Sequence, residues 1–99
     1  MITHIVVFRT KSSLDNHTLL NAAKKLGDIK LDGFDGFVCG APHISERPVV
    51  DDTFAAAIVV TVRDKAALDA YMVHPIHVDF SENCLKKLKV KVDIFEIES

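Results

Sequence analysis

The sequence predicts an α+β fold in which strands and helices follow one another in the order β-α-β-β-α-β. Stretches of β-branched and apolar residues predict the strands, and apolar residues that recur at helical spacing predict the helices between them. The chain has 99 residues, of which 48% are hydrophobic and 26% are charged, as in one globular domain. We therefore expect a single domain over residues 1–99 with the ferredoxin-like arrangement, an antiparallel sheet with both helices on one face.

The first half of the chain predicts a strand, a helix and a second strand. Thr3 to Arg9 (THIVVFR) is rich in β-branched residues, which favour a strand. Serine hydroxyls that can cap a helix precede an amphipathic pattern over residues 13–26. A short second strand is expected over Gly36 to Ala41. The polar residues 42–52 contain two prolines and predict a loop.

The second half predicts a strand, a broken helix and a final strand. Thr53 to Arg63 is the clearest strand pattern, and Asp64 is a candidate N-cap for the helix that follows. Because the residue before a proline avoids the α-helical region, this helix is expected to break before Pro75. A further helix then runs from this proline to about Leu88, with proline tolerated in the first turn. Val90 to Ile97 predicts the last strand.

Both faces of the sheet are predicted to be apolar. In the strand over residues 53–63, Ile58 and Val60 alternate with Ala57 and Val59, whereas a sheet with one face in water carries polar residues on that face. The mean hydropathy of +0.19 is high for a small monomer. Burying one valine or isoleucine contributes roughly 1.5–3 kcal/mol. We therefore expect a homodimer in which two sheets pack face to face, as in an α+β barrel.

Composition argues against several classes of partner. The 12 basic and 14 acidic residues give a net charge of −2, so no basic excess is present to bind nucleic-acid phosphates. The longest uncharged apolar stretch, Thr53 to Val62, is about half of the roughly 20 residues needed to span a bilayer. No signal-peptide pattern precedes the first strand, and Cys39 and Cys84 do not form a disulfide framework. We expect a cytoplasmic protein without nucleic-acid or membrane partners.

Polar residues that could carry chemistry cluster around the predicted helix break. His77 shares a helical stripe with apolar residues, and His4 shares one face of the first strand with apolar residues. If both faces meet between sheet and helix, the two histidines and Tyr71 converge on one small cavity. The expected pocket walls are Val6, Phe8, Ala23, Leu26, Val59, Phe80, Cys84 and Leu88.

This constellation predicts a general acid/base site. An imidazole with a pKa near 6.5 exchanges protons at neutral pH, and a tyrosine hydroxyl can orient it or hold a developing oxyanion. The alternative is that all three residues are interior polar groups hydrogen-bonded to the backbone near the break.

The patterns that could indicate a metal site or a charged binding surface are weaker than the acid/base constellation. His74 and His77 have the spacing of a helical chelate, but Pro75 lies between them and no third ligand is evident, so we expect neither a metal nor a cofactor. The ring of His74 is expected instead to cap an N–H at the helix break. A run of lysines over residues 86–91 is followed by Glu96 and Glu98, and together they are interpreted as a solvated face.

The whole chain resembles a known family. The opening strand HIVVFR, the following helix, and the stretch A-L-D-A-Y-x-x-H-P-x-H-x-x-F over Ala67 to Phe80 resemble the stress-responsive A/B barrel domain. The resemblance implies a dimeric α+β barrel of ferredoxin-like subunits. One plant member closes a linear polyketide without a cofactor, using a helix histidine as base, a tyrosine and a first-strand histidine. The matching positions are His77, Tyr71 and His4.

The pocket walls depart from that cyclase. It has bulky aromatic residues where this chain has Ala22, Ala23 and Leu26, and a tryptophan where this chain has Leu88. The resemblance therefore implies cofactor-free cyclase or lyase-type chemistry on a small carbonyl compound other than the aromatic polyketide. The alternatives are a non-catalytic ligand-binding or stress-protective oligomeric protein, and a structural or assembly protein.

Overall fold

A computed structural model describes residues 1–99 and has one four-stranded sheet with helices on one side. The strands are β1 (Ile2–Arg9), β2 (Phe34–Gly40), β3 (Ala56–Val62) and β4 (Lys91–Glu98). The α-helices are α1 (Asn16–Lys24), α2 (Lys65–Met72) and α3 (Pro75–Phe80). Short 3₁₀ turns at Ser13–Asp15 and Lys25–Asp28 flank α1, and a π-helical turn over Ser81–Leu85 extends α3.

The sheet has the strand order β2-β3-β1-β4, and all neighbouring strands are antiparallel. This is the predicted ferredoxin-like arrangement. Helix α1 connects β1 to β2, and the α2–α3 segment connects β3 to β4, so both crossovers cover the same face. No helix combines the length and apolar character required to cross a membrane.

The central strands alternate as predicted. Their helix-facing side chains are buried, and β1 and β3 both show a strict alternation of buried and half-buried residues. The buried core lies between this face and the helices. Its members include Val6, Phe8, Leu19, Leu26, Val60 and Tyr71.

The strand predicted over residues 53–63 begins later, at Ala56. The side chain of Asp51 accepts a hydrogen bond from the backbone N–H of Thr53 at 2.9 Å, and the Thr53 hydroxyl also donates to it. Such a local side-chain turn competes with the strand ladder. Arg9 ties this turn to the end of β1 by bonding both side chains, which fixes where the loop joins the sheet.

The break between α2 and α3 has the predicted cap. The Asp64 carboxylate accepts from Ala67 N–H at 2.9 Å at the start of α2. The Nδ1 atom of His74 accepts from Ile76 N–H at 3.1 Å and thus caps α3, with Pro75 in its first turn. These caps supply acceptors for N–H groups in the first turns of α2 and α3, which have no partner within the helix.

The helix predicted over residues 75–88 is α-helical only to Phe80. A π-helical turn follows, and the segment ends where Lys89 adopts a left-handed conformation with φ of 53°. There the N–H of Val90 bonds the carbonyl of Leu85 at 3.0 Å, which is the Schellman pattern of helix termination. Because a π-turn holds about one residue more than an α-turn, the residues after Phe80 are rotated relative to the predicted stripe.

Candidate active site

Three separate elements bring His4, Tyr71 and His77 together. His4 lies in the middle of β1, Tyr71 in the last turn of α2, and His77 in the first turn of α3. The ring centroid of Tyr71 is 4.9 Å from that of His77 and 6.0 Å from that of His4, both in edge-to-face orientation. The tyrosine ring thus lies next to both imidazoles. These three side chains are the ones singled out from the sequence.

These rings line a cavity of about 250 Å³ between the sheet and the helices. Apart from the two histidines and Ser81, its walls are apolar or aromatic. They are formed by Val6, Phe8, Leu26, Ile58, Tyr71, Met72, Phe80, Leu85, Val92 and Ile94. An apolar cavity with a few convergent polar groups is the usual form of a small-molecule site.

The structure does not bring four of the predicted wall residues to this cavity. The prediction is wrong for Val59, which pairs with Ile5 on the opposite face of the sheet. Ala23 is enclosed in the core, where its short side chain does not reach the cavity. The prediction is also wrong for Cys84 and Leu88, because the π-turn rotates them away from the cavity. Leu85 lies on the cavity wall instead. Cys84 lines a separate groove between α1 and α3 instead.

His4 is held from the side of the sheet by Glu96. The two residues are direct partners in the β1–β4 ladder, and the distance from His4 Nδ1 to Glu96 Oε2 is 2.7 Å. The His4 side chain is only 3% exposed, whereas that of Glu96 is 47% exposed. The pair therefore connects the interior cavity with the open edge of β4.

Tyr71 is fully buried, and its hydroxyl has no hydrogen-bond partner. Burial also raises the pKa of this phenol above its usual value near 10, so the group remains a neutral donor. Buried hydroxyl groups are nearly always paired, because an unpaired one loses its water without compensation. An unpaired donor on a cavity wall is available to an oxygen atom of a bound molecule.

His77 is suited to remain neutral at neutral pH. Burial lowers the pKa of its imidazole from the usual 6.5, an interaction with the Met72 backbone opposes this effect, and nearby His4 lowers the pKa further. A neutral imidazole retains one nitrogen lone pair that can accept a proton.

A more open groove adjoins the cavity along the β4 edge. It has a volume of about 430 Å³ and shares His4, Met72 and Ile94 with the cavity wall. Lys65 also borders this groove, but its ammonium group lies 2.6 Å from the carboxylate of Asp69. The groove leads from solvent to the His4–Glu96 pair.

No group of three or more metal-ligating side chains is present. His74, which the sequence predicts to cap the helix break rather than to bind a metal, uses its Nδ1 to cap α3.

Sequence reasoning missed Glu96, which it assigned to a solvated face. The missing signal was strand register rather than composition: in the predicted topology β4 pairs with β1, and its alternating glutamates share one face. Counting the antiparallel register from Ile2↔Glu98 places Glu96 opposite His4.

Comparison with known proteins assigns the family. Residues 2–99 match the sequence profile of the stress responsive A/B barrel domain. The chain belongs to this family. The family resemblance noted in the sequence is thereby confirmed, while none of the curated proteins matches the chain significantly.

Solved structures share the fold. A family member from Mesorhizobium loti is 28% identical over 99% of this chain and 95% of its own, with a TM-score of 0.72. A dimeric ferredoxin-like protein of unknown function from Jannaschia is 22% identical over 99% of this chain and 98% of its own, with a TM-score of 0.77. SnoaB from Streptomyces nogalater, a cofactor-independent oxygenase, is 13% identical over 99% of this chain and 91% of its own, with a TM-score of 0.64.

Proposed function

We propose that this A/B barrel protein binds a small carbonyl compound between its sheet and helices and catalyses acid–base chemistry on it without a cofactor. The observation that supports this most strongly is the buried, unpaired hydroxyl of Tyr71, whose ring lies next to two histidines on the wall of an apolar cavity. A carbonyl oxygen of a bound molecule would supply the missing acceptor.

The proposed reaction begins with proton abstraction next to the carbonyl group. The neutral imidazole of His77 takes a proton from the α-carbon. The electron pair of the broken C–H bond forms the C=C bond of an enolate, while the π pair of the carbonyl group moves to its oxygen. The Tyr71 hydroxyl donates a hydrogen bond to this oxyanion, and His4 supports the pair from β1. The enolate then either recovers its proton from the His77 imidazolium or attacks a second carbonyl carbon of the same molecule. In the second case a C–C bond closes a ring, and the alkoxide formed from the second carbonyl group takes the proton from the His77 imidazolium.

The size and polarity of the cavity limit the substrate. A dry apolar cavity of about 150 Å³ accommodates benzene, so a cavity of about 250 Å³ has room for roughly ten non-hydrogen atoms. The walls offer no positively charged side chain to an anion. We therefore propose a neutral ketone or aldehyde of this size.

The fold of SnoaB, described as a cofactor-independent oxygenase, supports only the statement that this fold can house reactions without a cofactor.

Hydrogen exchange tests the proposal without knowledge of the natural substrate. Small neutral ketones are incubated with the protein in D₂O, and loss of the α-hydrogen signals is followed by proton NMR. We expect exchange above the buffer rate, with His77→Gln lowering the enzymatic rate by about 10²- to 10⁴-fold. His43→Gln is the matched control, because His43 is exposed in the loop before β3, and it should retain the full rate.

Two results would contradict the proposal that the protein is an enzyme. Full exchange activity in His77→Gln would remove the histidine from its assigned role. Saturable ketone binding without exchange would instead identify a non-catalytic ligand-binding protein that uses the same cavity.

We also propose that the protein is a homodimer whose sheets pack face to face. The face of the sheet opposite the helices carries Ile5, Val7 and Val59, and Phe95 and Ile97 on it are 58% and 55% exposed in the isolated chain. Several relatives with this fold are described as dimeric. Light scattering at micromolar concentration should give twice the chain mass of 11.0 kDa, and a value equal to one chain would contradict the dimer.

A further inference from the structure

Glu96 is the only hydrogen-bond partner of the His4 side chain. The carboxylate oxygen Oε2 is 2.7 Å from Nδ1, which leaves Nε2 without a partner in the protein. Because an ionised carboxylate can only accept, the proton of this hydrogen bond belongs to Nδ1 in the neutral imidazole. Neutral histidine in water prefers the opposite tautomer, with its proton on Nε2. The contact with Glu96 thus selects a specific state of the ring.

No other polar or charged group around His4 forms a hydrogen bond that could select the tautomer of its ring. Tyr71 and His77 face His4 from α2 and α3, and neither is hydrogen-bonded to it. In the adjoining groove, Lys65 is paired with Asp69. The remaining carboxylate there, Glu98, lies opposite Ile2, one position further along the same face.

We propose that Glu96 is a positioning residue that fixes the orientation and tautomer of His4, so that the Nε2 lone pair is presented to the cavity beside the Tyr71 hydroxyl. Nε2 then accepts a hydrogen bond from the hydroxyl or enol group of a bound molecule, while Tyr71 donates one to its oxygen. The catalytic meaning of this arrangement rests on the proposed function, but the tautomer is a property of the free protein.

The proposal explains why a carboxylate occurs at this point of an edge strand. Glu96 is half-exposed, so the carboxylate keeps part of its hydration while it bonds a buried ring. A carboxylate or carbonyl partner on one ring nitrogen is the usual means by which proteins set the state of the other nitrogen of a histidine. In metal sites, loss of such a partner lowers metal affinity or activity about 10- to 100-fold.

Nitrogen-15 NMR of the histidine rings tests the proposal directly in the free protein. At pH 7.5 we expect His4 to show the Nδ1–H tautomer, and Glu96→Leu to convert it wholly or largely to the Nε2–H tautomer. Glu98→Leu is the matched control, because it removes the same charge from the same strand face without touching His4. Its His4 signals should match those of the wild type.

A second variant covers the case in which Glu96→Leu fails to fold. Glu96→Gln retains a neutral acceptor, so the Nδ1–H tautomer should persist, and the proton resonance of Nδ1–H should move upfield because the charge-assisted hydrogen bond is lost. The proposal is overturned if wild-type His4 carries its proton on Nε2, or if neither variant changes the His4 ring signals.

The ketone exchange assay separates this proposal from the proposed function. We expect Glu96→Leu to lower the exchange rate about 10- to 100-fold and Glu98→Leu to leave it unchanged. An unchanged rate in Glu96→Leu would refute the catalytic part of the positioning role. If no ketone is exchanged by the wild type, the proposed function fails, while the tautomer measurement still decides the role of Glu96.

Discussion

Replacing Tyr71 by phenylalanine should stabilise the free protein, although it removes a group from the proposed site. The ring of Tyr71 is fully buried and its hydroxyl is unpaired. Leaving a buried hydroxyl without a partner costs about 1–3 kcal/mol, and Tyr71→Phe removes that cost while retaining the packed ring. We expect a gain of about 1 kcal/mol in the free energy of unfolding, which corresponds to roughly 4–8 °C in Tm for a domain of this size.

The assay is urea unfolding at a fixed protein concentration, because a dimer's stability depends on concentration. Thr53→Val is the control: it removes a hydroxyl that bonds both Arg9 and Asp51, so it should lower the stability. A Tyr71→Phe protein that is equally stable or less stable than the wild type would refute the reasoning. It would mean that the hydroxyl is satisfied inside the folded protein and does not await a ligand.

Other predictions concern pH, association and helix capping. Burial lowers the pKa of folded His77 below 6.5, so the unfolded chain binds the proton more readily than the folded one. The stability present above pH 6.5 should therefore fall as pH drops towards the lowered pKa. Urea unfolding at pH 7.5 and 5.5 should show a smaller loss of stability in His77→Gln than in the wild type. Phe95→Glu introduces a charge on the exposed sheet face and should give a chain of monomer mass in light scattering, whereas a persistent dimer would place the interface elsewhere. Asp64→Ala removes the cap of α2 and should lower the unfolding free energy by about 1 kcal/mol in urea, and an unchanged midpoint would contradict the cap.

The parts of the site that follow local patterns were predictable from the sequence. Strand alternation correctly grouped His4 with Val6 and Phe8 on one face of β1, which the structure shows to be the buried face. The proline rule correctly predicted the break that His74 caps. Helical spacing also predicted that His77 faces the sheet. These features depend on periodicity and on neighbours a few residues away.

The parts that failed depend on non-local register or on irregular helix geometry. Glu96 meets His4 across 92 residues of sequence, so only the pairing of β1 with β4 reveals the contact. Cys84 was assigned to the cavity by assuming a continuous α-helix, and one π-helical turn gives that position to Leu85. The unpaired state of the Tyr71 hydroxyl depends on three-dimensional packing and leaves no sequence signal.

The central claim is that Tyr71 donates a hydrogen bond to the oxygen of a carbonyl compound in the cavity between sheet and helices. The most direct measurement is carbon-13 NMR of a small ketone labelled at its carbonyl carbon and titrated with the protein. We predict saturable binding with a downfield shift of the carbonyl resonance for the wild type, and a much smaller shift at saturation for Tyr71→Phe. An identical shift in the two proteins, or no binding by neutral ketones that fit a cavity of about 250 Å³, would contradict the account.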